Sequence, residues 1–259
     1  YSASFTNAAG CDSTAYLNLT IRKSTASTSS ATACDSYTWN GVTYTQSGSY
    51  TAILTNAVGC DSMAYLNLTI NVTPADPVIT VTSNCNATST LTTSSAGTIL
   101  WSTGATTSSI TVNSSGVYYA TQTVSGCTSD TGFANVSIVV HTGTAWYVNN
   151  NSTSGDVYTT AVGNNSNIGT ASCPFGTVTY AISQAVAGDT IFVDAGTYTE
   201  NVSVNKGVTI LGSNAGIDPN TGSRVSEATL SGTWSIASGS VTLNGFSVTG
   251  SGAAFAGSG

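Results

Sequence analysis

Charge is what this chain has least of. Lysine and arginine together number four, aspartate and glutamate eleven, and charged residues fill 6% of 259 positions, against roughly 25% in an ordinary globular domain. Four cations cannot build a phosphate-binding stripe, and a formal net charge of −7 repels nucleic acid. Histidine occurs once, as His141, and no Cys-x-x-Cys pair is present, so a zinc site lacks its usual ligands. No run reaches the ~18 apolar residues of a membrane-spanning helix. A secretory leader is not visible, as expected of a sequence that opens inside a repeat. Long stretches of helix formers are missing. So is the make-up of a disordered chain, because hydrophobics are 40% and aromatics are spread throughout.

Thr, Ser, Asn and Gly take the place of the missing charge. Alternating with Val, Ile and Tyr, they favour strands and turns, so the expected class is all-β. The strongest internal signal is a repeat. Tyr1–Ile21 returns at Tyr50–Ile70 with sixteen of twenty-one positions identical, which marks a tandem array. The first copy reads as the back half of a unit, so the sequence is expected to be a window onto a longer protein.

Four segments follow. Residues 1–23 are the C-terminal half of a repeat. Residues 24–73 are a complete repeat that opens on a Ser/Thr connector, Ser24–Ser30. Pro74 and Pro77 stiffen the next joint, and residues 74–141 form a longer unit. The longer unit echoes the shorter one: Cys34, Trp39, SGSY at Ser47–Tyr50 and Gly59-Cys60 become Cys85, Trp101, SGVY at Ser115–Tyr118 and Gly126-Cys127. Each is followed by a strand pattern, with Leu66, Leu68 and Ile70 inward in one and Val136, Ile138 and Val140 in the other. Cysteine, tryptophan and cysteine among short strands point to small Ig-like sandwiches, although Val58 and Ser125 stand where a corner tyrosine belongs. Both tryptophans read as core residues rather than sugar platforms.

Units of about 50 residues bury little surface, and disulfides are the usual remedy outside the cell. Cys34 and Cys60 close one repeat, and Cys85 and Cys127 bracket the next. The first loop contributes about 3–4 kcal/mol on the chain-entropy model. Cys11 shares the repeat position of Cys60, so its partner is expected upstream, and Cys173 stands alone.

Residues 142–259 follow a different grammar, expected to be the truncated start of a parallel β-helix. Val178, Ile182 and Val186 recur at helical spacing with Ala181 and Ala185 beside them, and Pro174 and Gly188 punctuate the ends. Short apolar strands follow, and Ile191, Ile210, Leu230 and Val248 are spaced by about one solenoid coil.

ACDSYTWNGVTYTQSGSYTAILTNAVGCDSMAYLNLTI resembles the tandem repeats of giant secreted surface proteins of the Bacteroidetes. TILWSTGATTSSITVNSSGVYYATQTVSGC resembles the Ig-like modules beside them. WYVN, followed by PFGTVTYAISQAVAGDTIFVDAGTYTENVSVNKGVTILG, is similar to the start of a right-handed parallel β-helix of the pectin-lyase-like type, with the short helix capping its open end. The resemblance implies type IX export and a role as adhesin, gliding-associated protein or filament. It also implies O-glycosylation at Asp-Ser/Thr-x motifs, with Ser13, Ser62 and Thr190 as acceptors.

An enzyme of the pectin-lyase-like class needs paired carboxylates. Asp189 and Asp194 fall in turns, where Asp is an ordinary turn former; Glu200 and Asp218 follow. Lys206 and Arg224 lie in loops without clustered acidic partners, and His141 falls in a solvated linker. Asp12, Asp35 and Asp61 each follow a cysteine, yet none belongs to a calcium-loop pattern. No catalytic residue, metal or cofactor is therefore assigned. The expectation is a secreted, bacterial cell-surface protein whose repeats form a stalk or filament displaying a β-helix. Its expected partners are copies of itself, other surface proteins or a polysaccharide. The alternative is a carbohydrate-active enzyme whose catalytic coils lie beyond Gly259.

Overall fold

The computed structural model describes residues 1–237 and 240–249. Strands dominate, and one short helix accompanies them, so the all-β class holds. By contact the chain divides into two units. One comprises Tyr1–Pro77, Ser95–Leu100 and Ala120–Gly132; the other comprises Val78–Ser94, Trp101–Tyr119 and the chain from Phe133 on.

The first unit opens with a hairpin of β1 (Ser2–Thr6) and β2 (Asp12–Tyr16). The complete repeat follows as β3 (Thr25–Cys34), β4 (Tyr37–Trp39), β5 (Val42–Tyr44), β6 (Gly48–Thr55) and β7 (Asp61–Asn71). β6 and β7 form the antiparallel counterpart of β1 and β2. β3 then lies along the other edge of β7, parallel to it, from Thr25↔Ser62 to Cys34↔Asn71. All but the first residue of the Ser/Thr connector expected at Ser24–Ser30 thus belong to a ten-residue strand. Threonine suits a strand, and an edge position needs apolar residues on neither face. The alternation of β7 is as expected: Leu66 and Leu68 are buried, while Tyr65, Asn67 and Thr69 face out. Trp39 is half-buried in the β4–β5 hairpin.

The longer segment supplies β8 (Ile79–Asn84), β9 (Thr88–Thr93), β10 (Thr98–Trp101), β11 (Ser109–Val112), β12 (Gly116–Val124), β13 (Cys127–Thr128) and β14 (Gly132–Val136). In the second unit β8, β9 and β11 make an antiparallel sheet with β9 central. Trp101 is buried there, its indole N–H donating to the Thr107 carbonyl at 2.8 Å; the core role expected of it is the one it has. In the first unit the end of β12 turns into β13 at Val124↔Cys127. Val136 faces in as expected, but β14 ends there, leaving Ile138 half-buried and Val140 exposed.

The rest of the second unit is parallel. It runs through β15 (Ala145–Val148), helix α1 (Val178–Gln184), β16 (Thr190–Val193), β17 (Gly196–Thr199), β18 (Val202–Val204), β19 (Thr209–Gly212), β20 (Ala228–Ser231), β21 (Trp234–Ile236), β22 (Thr242–Asn244) and β23 (Phe246–Thr249). These strands form three parallel ladders, β15-β16-β19-β22, β17-β20-β23 and β18-β21. Like residues stack along each ladder: Ile191 on Ile210 on Leu243, and Tyr198 on Leu230 on Val248. The four residues expected to mark successive coils therefore fall into two ladders. Every second side chain points into a core of Val148, Val193, Val204, Ile210 and Trp234, because strand side chains alternate across the pleat. Helix α1 covers part of this core with Val178, Ala181 and Ile182. It is shorter than its spacing suggested. The backbone extends at Ala185, so Val186 leaves the apolar face and is 66% exposed. The last ten residues of the expected 142–259 segment, with Ser238 and Gly239, lie outside the described residues.

Candidate functional site

The first chemistry-bearing groups are the cysteines, and their pairing differs from expectation. Cys34 bonds Cys127, and Cys85 bonds Cys173, while Cys11 and Cys60 are free thiols. Cys34–Cys60 is ruled out by the ladder itself. Cys60 precedes the start of β7, whereas Cys34 pairs with Asn71 at its end. At ~3.3 Å per residue about 36 Å of strand separates them, and a disulfide tolerates Cα atoms no more than about 7 Å apart.

The Cys34–Cys127 bond is one part of a built joint. Asn71, the residue facing Cys34, donates from Nδ2 to the Ser125 carbonyl at 2.7 Å. Asp35, at φ 59°, accepts from the Thr73 N–H and hydroxyl, at 2.9 and 2.6 Å. That hydroxyl and N–H hold the Asp35 carboxyl below its ordinary range. Gly132 permits the chain to close there, since a Cβ would meet the Pro77 carbonyl oxygen at 1.9 Å.

The same geometry recurs one repeat earlier. Arg22 stands at the repeat position of Asn71, and its guanidinium donates to the Val58 carbonyl, Val58 being the counterpart of Ser125. Asn56 adds a bond from Nδ2 to the Lys23 carbonyl at 3.0 Å. Glycines 10, 59 and 126, each just before a cysteine, share φ values of 81°, 82° and 83°, a left-handed turn that glycine adopts without strain. What the earlier joint lacks, among the described residues, is a second strand along the edge of β2 away from β1.

The second group is a buried polar cluster at the end of β16. Asp194 is fully buried, and its carboxylate accepts from the backbone N–H groups of Val157, Tyr158 and Thr159. Asp156 accepts from Asn149 Nδ2 at 2.6 Å through one oxygen, while the other is buried without a partner among the described residues. Burial and the nearby Asp194 charge push the Asp156 carboxyl above its ordinary range, against its bonds from Asn149 and Thr159. Burial, followed by the Asp194 and Asp156 charges, likewise raises the Tyr198 phenol. The phenol donates to the Asp194 carbonyl at 2.9 Å. With three N–H bonds on it, Asp194 anchors the 156–159 loop and offers no free oxygen for acid–base work. Asp156 and Asn149 carry no signal in the sequence, where they sit in an unpatterned Asn/Ser/Gly stretch.

Asp189 accepts from the Trp146 indole at 2.7 Å and the Val186 N–H at 2.8 Å, pinning the exit of α1. Glu200 accepts from Val178 and Thr179 N–H, both 2.9 Å, at the start of α1. Lys206 donates to the Ala185 carbonyl at its far end, at 2.7 Å. Arg224 is paired with a single acidic neighbour in its own loop, Glu227, at 2.8 Å. Asp218 accepts from Asn220 and Thr221, which lowers its carboxyl. His141 stacks on Trp146 with ring centroids 3.7 Å apart, so it is half-buried rather than solvated. These groups serve separate turns and are not brought together. No cluster of three or more metal-ligating side chains occurs among the described residues.

Of the modification candidates, Ser13 is exposed in β2. Ser62 is half-buried and its hydroxyl meets that of Thr25 at 2.8 Å. Thr190 is half-buried between two parallel neighbours, Ala145 and Thr209. No helix among the described residues is long and apolar enough to cross a membrane.

Residues 161–255 match the sequence profile of a family described as a protein of unknown function, DUF1565. No curated protein sequence matches the chain.

Proposed function

We propose that the chain is part of a secreted structural or adhesive protein of a bacterial cell surface, its repeats forming a stalk or filament that displays a parallel β-helix. The observation that carries this reading is the joint. The bond leaving β3 of the complete repeat closes on the segment that follows, which gives a series of small modules covalent continuity beyond the peptide backbone. Disulfides also belong to oxidising compartments. Under this reading residues 24–73 and 74–141 are Ig-like modules, and the three ladders from β15 on are coils of a right-handed, pectin-lyase-like β-helix. Two features support the helix: in-register stacking of like residues, and a match to a family associated with such domains. Bacteroidetes origin, type IX export and glycans on Ser13, Ser62 or Thr190 follow from the resemblance of the repeats. Self-association and binding to other surface proteins or polysaccharide belong to the same proposal.

Surface exposure is the test. Antibodies raised against residues 24–141 should label intact producing cells, and external protease should remove the label without lysis. Antigen found only after permeabilisation overturns the reading. The alternative, a carbohydrate-active enzyme, draws on the pectin-lyase-like stacking alone, since Asp189, Asp194 and Glu200 are committed to backbone N–H groups.

A further inference from the structure

The heptapeptide AYLNLTI occurs twice, at Ala15–Ile21 and Ala64–Ile70, and the two copies behave oppositely. In the second, all seven residues lie in β7, with Leu66 1% and Leu68 4% exposed. In the first, the strand ends at Tyr16, and Leu17 and Leu19 are 59% and 53% exposed. Identical residues with different fates point to a difference in surroundings. β7 has β6 on one edge and β3 on the other; β2 has β1 only, among the described residues. Beside it Tyr1, Phe5, Tyr16 and Leu17 line an open apolar concavity of about 410 Å³.

We infer that the free edge of Asp12–Arg22 is a docking site for a parallel strand of the Thr25–Cys34 kind from a further repeat of the same array. The incoming strand ends in a cysteine opposite Arg22, and that cysteine bonds Cys60. The geometry is copied from the joint already closed. There Cys34 faces Asn71, Asn71 reaches the Ser125 carbonyl, and Cys34 bonds Cys127, two residues beyond Ser125. Here Arg22 reaches the Val58 carbonyl, and Cys60, two residues beyond Val58, is a free thiol. One rule then covers the array: the cysteine that ends the first strand of each repeat bonds the Gly-Cys cysteine of the next. In the bond-forming step Cys60 and the incoming cysteine each lose a thiol hydrogen. A disulfide oxidant such as glutathione disulfide takes up the pair and leaves as two thiols. This deepens the stalk reading by naming its partner strand, and its readout is a bond at a stated sulfur, which stands or falls apart from cell-surface location.

The test uses the whole chain with both disulfides intact and a synthetic peptide of residues 24–46 carrying one free cysteine, in a glutathione redox buffer. Mass mapping should place the peptide on Cys60 at least tenfold over Cys11, although Cys11 is the more exposed thiol. It should also exceed a scrambled peptide of equal composition by at least tenfold. Hydrogen exchange should slow across residues 12–22. Cys60→Ser should abolish the adduct yet keep that protection at high peptide concentration. Equal labelling of the two thiols, equal reaction of the scrambled peptide, or unchanged exchange at 12–22 overturns the inference. So does a dimer of the chain linked Cys34–Cys60 with Cys127 released, which would assign the edge to a swapped second copy.

Discussion

Replacing both Cys34 and Cys127 by serine isolates the contribution of the joint. The bond spans 93 residues, and the chain-entropy relation gives about 4.7 kcal/mol for a loop of that length, compared with about 3.5 kcal/mol for the shorter Cys34–Cys60 loop expected from sequence. The effect resides in the unfolded ensemble, which the bond keeps from expanding. It should therefore appear as a loss of stability with little change in the native fold. A chain of two contact units need not unfold in one step, so a global midpoint is the wrong measure. Native-state hydrogen exchange of peptides from β3 and β7 reports the relevant opening directly. The double variant should exchange there on the order of a thousandfold faster, since each 1.4 kcal/mol is tenfold. Cys60→Ser should change it by less than threefold. Acceleration below tenfold in the double variant, or a larger effect from Cys60→Ser, would refute the reasoning. Peptide mapping without reduction supplies the check on connectivity: Cys34 must appear joined to Cys127.

The duplicated heptapeptide gives a matched pair of variants. Leu66→Ala removes a fully buried side chain and should cost about 2–5 kcal/mol, while Leu17→Ala, at an exposed position, should stay within about 0.5 kcal/mol; denaturant unfolding monitored on β7 separates the two. Asp156 predicts a pH dependence. Its carboxyl is raised in the folded state, so the native chain binds more protons than the unfolded one. The stabilisation is fully present below the ordinary Asp value and is lost as pH climbs through the raised folded value. Asp156→Asn should flatten that part of the stability–pH curve, and a wild-type curve that rises there contradicts the assignment.

Much of this fold was legible because it is local. Alternation in AYLNLTI predicts which face of β7 is buried, and the helical spacing of Val178 and Ile182 finds α1. Its true end was not legible, because the extended backbone at Ala185 goes with the Asp189 carboxylate taking the Val186 N–H, a contact outside the helix pattern. Cysteine pairing failed for a related reason. Cys34 and Cys60 look like partners along the chain, but β3 runs parallel to β7, and a parallel neighbour brings the end of one strand to the end of the other. Nothing in TASTSSATAC announces such a partner, because its serines and threonines read equally well as a linker. The Asp194 anchor was invisible too: a turn aspartate that binds water and one that binds three N–H groups from a distant loop have the same sequence. The repeat aligns Arg22 with Asn71, but the residue types differ, and only the structure shows that both reach the carbonyl two residues before a cysteine.

The position of the bond matters more than its strength. Between β7 and the next segment the polypeptide passes through Val72–Pro77, where Pro74 and Pro77 carry no N–H to donate. Tension along a single strand would fall on that stretch alone. Cys34 lies on β3, which is held to β7 by a ten-residue ladder, and its sulfur bonds Cys127 on the far side of the linker. Load entering the repeat along β3 therefore has two covalent routes, one onward through β7 and the backbone at Val72 and one from Cys34 directly across the disulfide to Cys127. A bond inside a module, such as Cys34–Cys60, would have protected the module and left the joint as the weak point. The bond across the joint does the reverse. For a proposed extracellular stalk, where unfolding of one small unit is reversible but separation of two is not, that is the placement that keeps the array together.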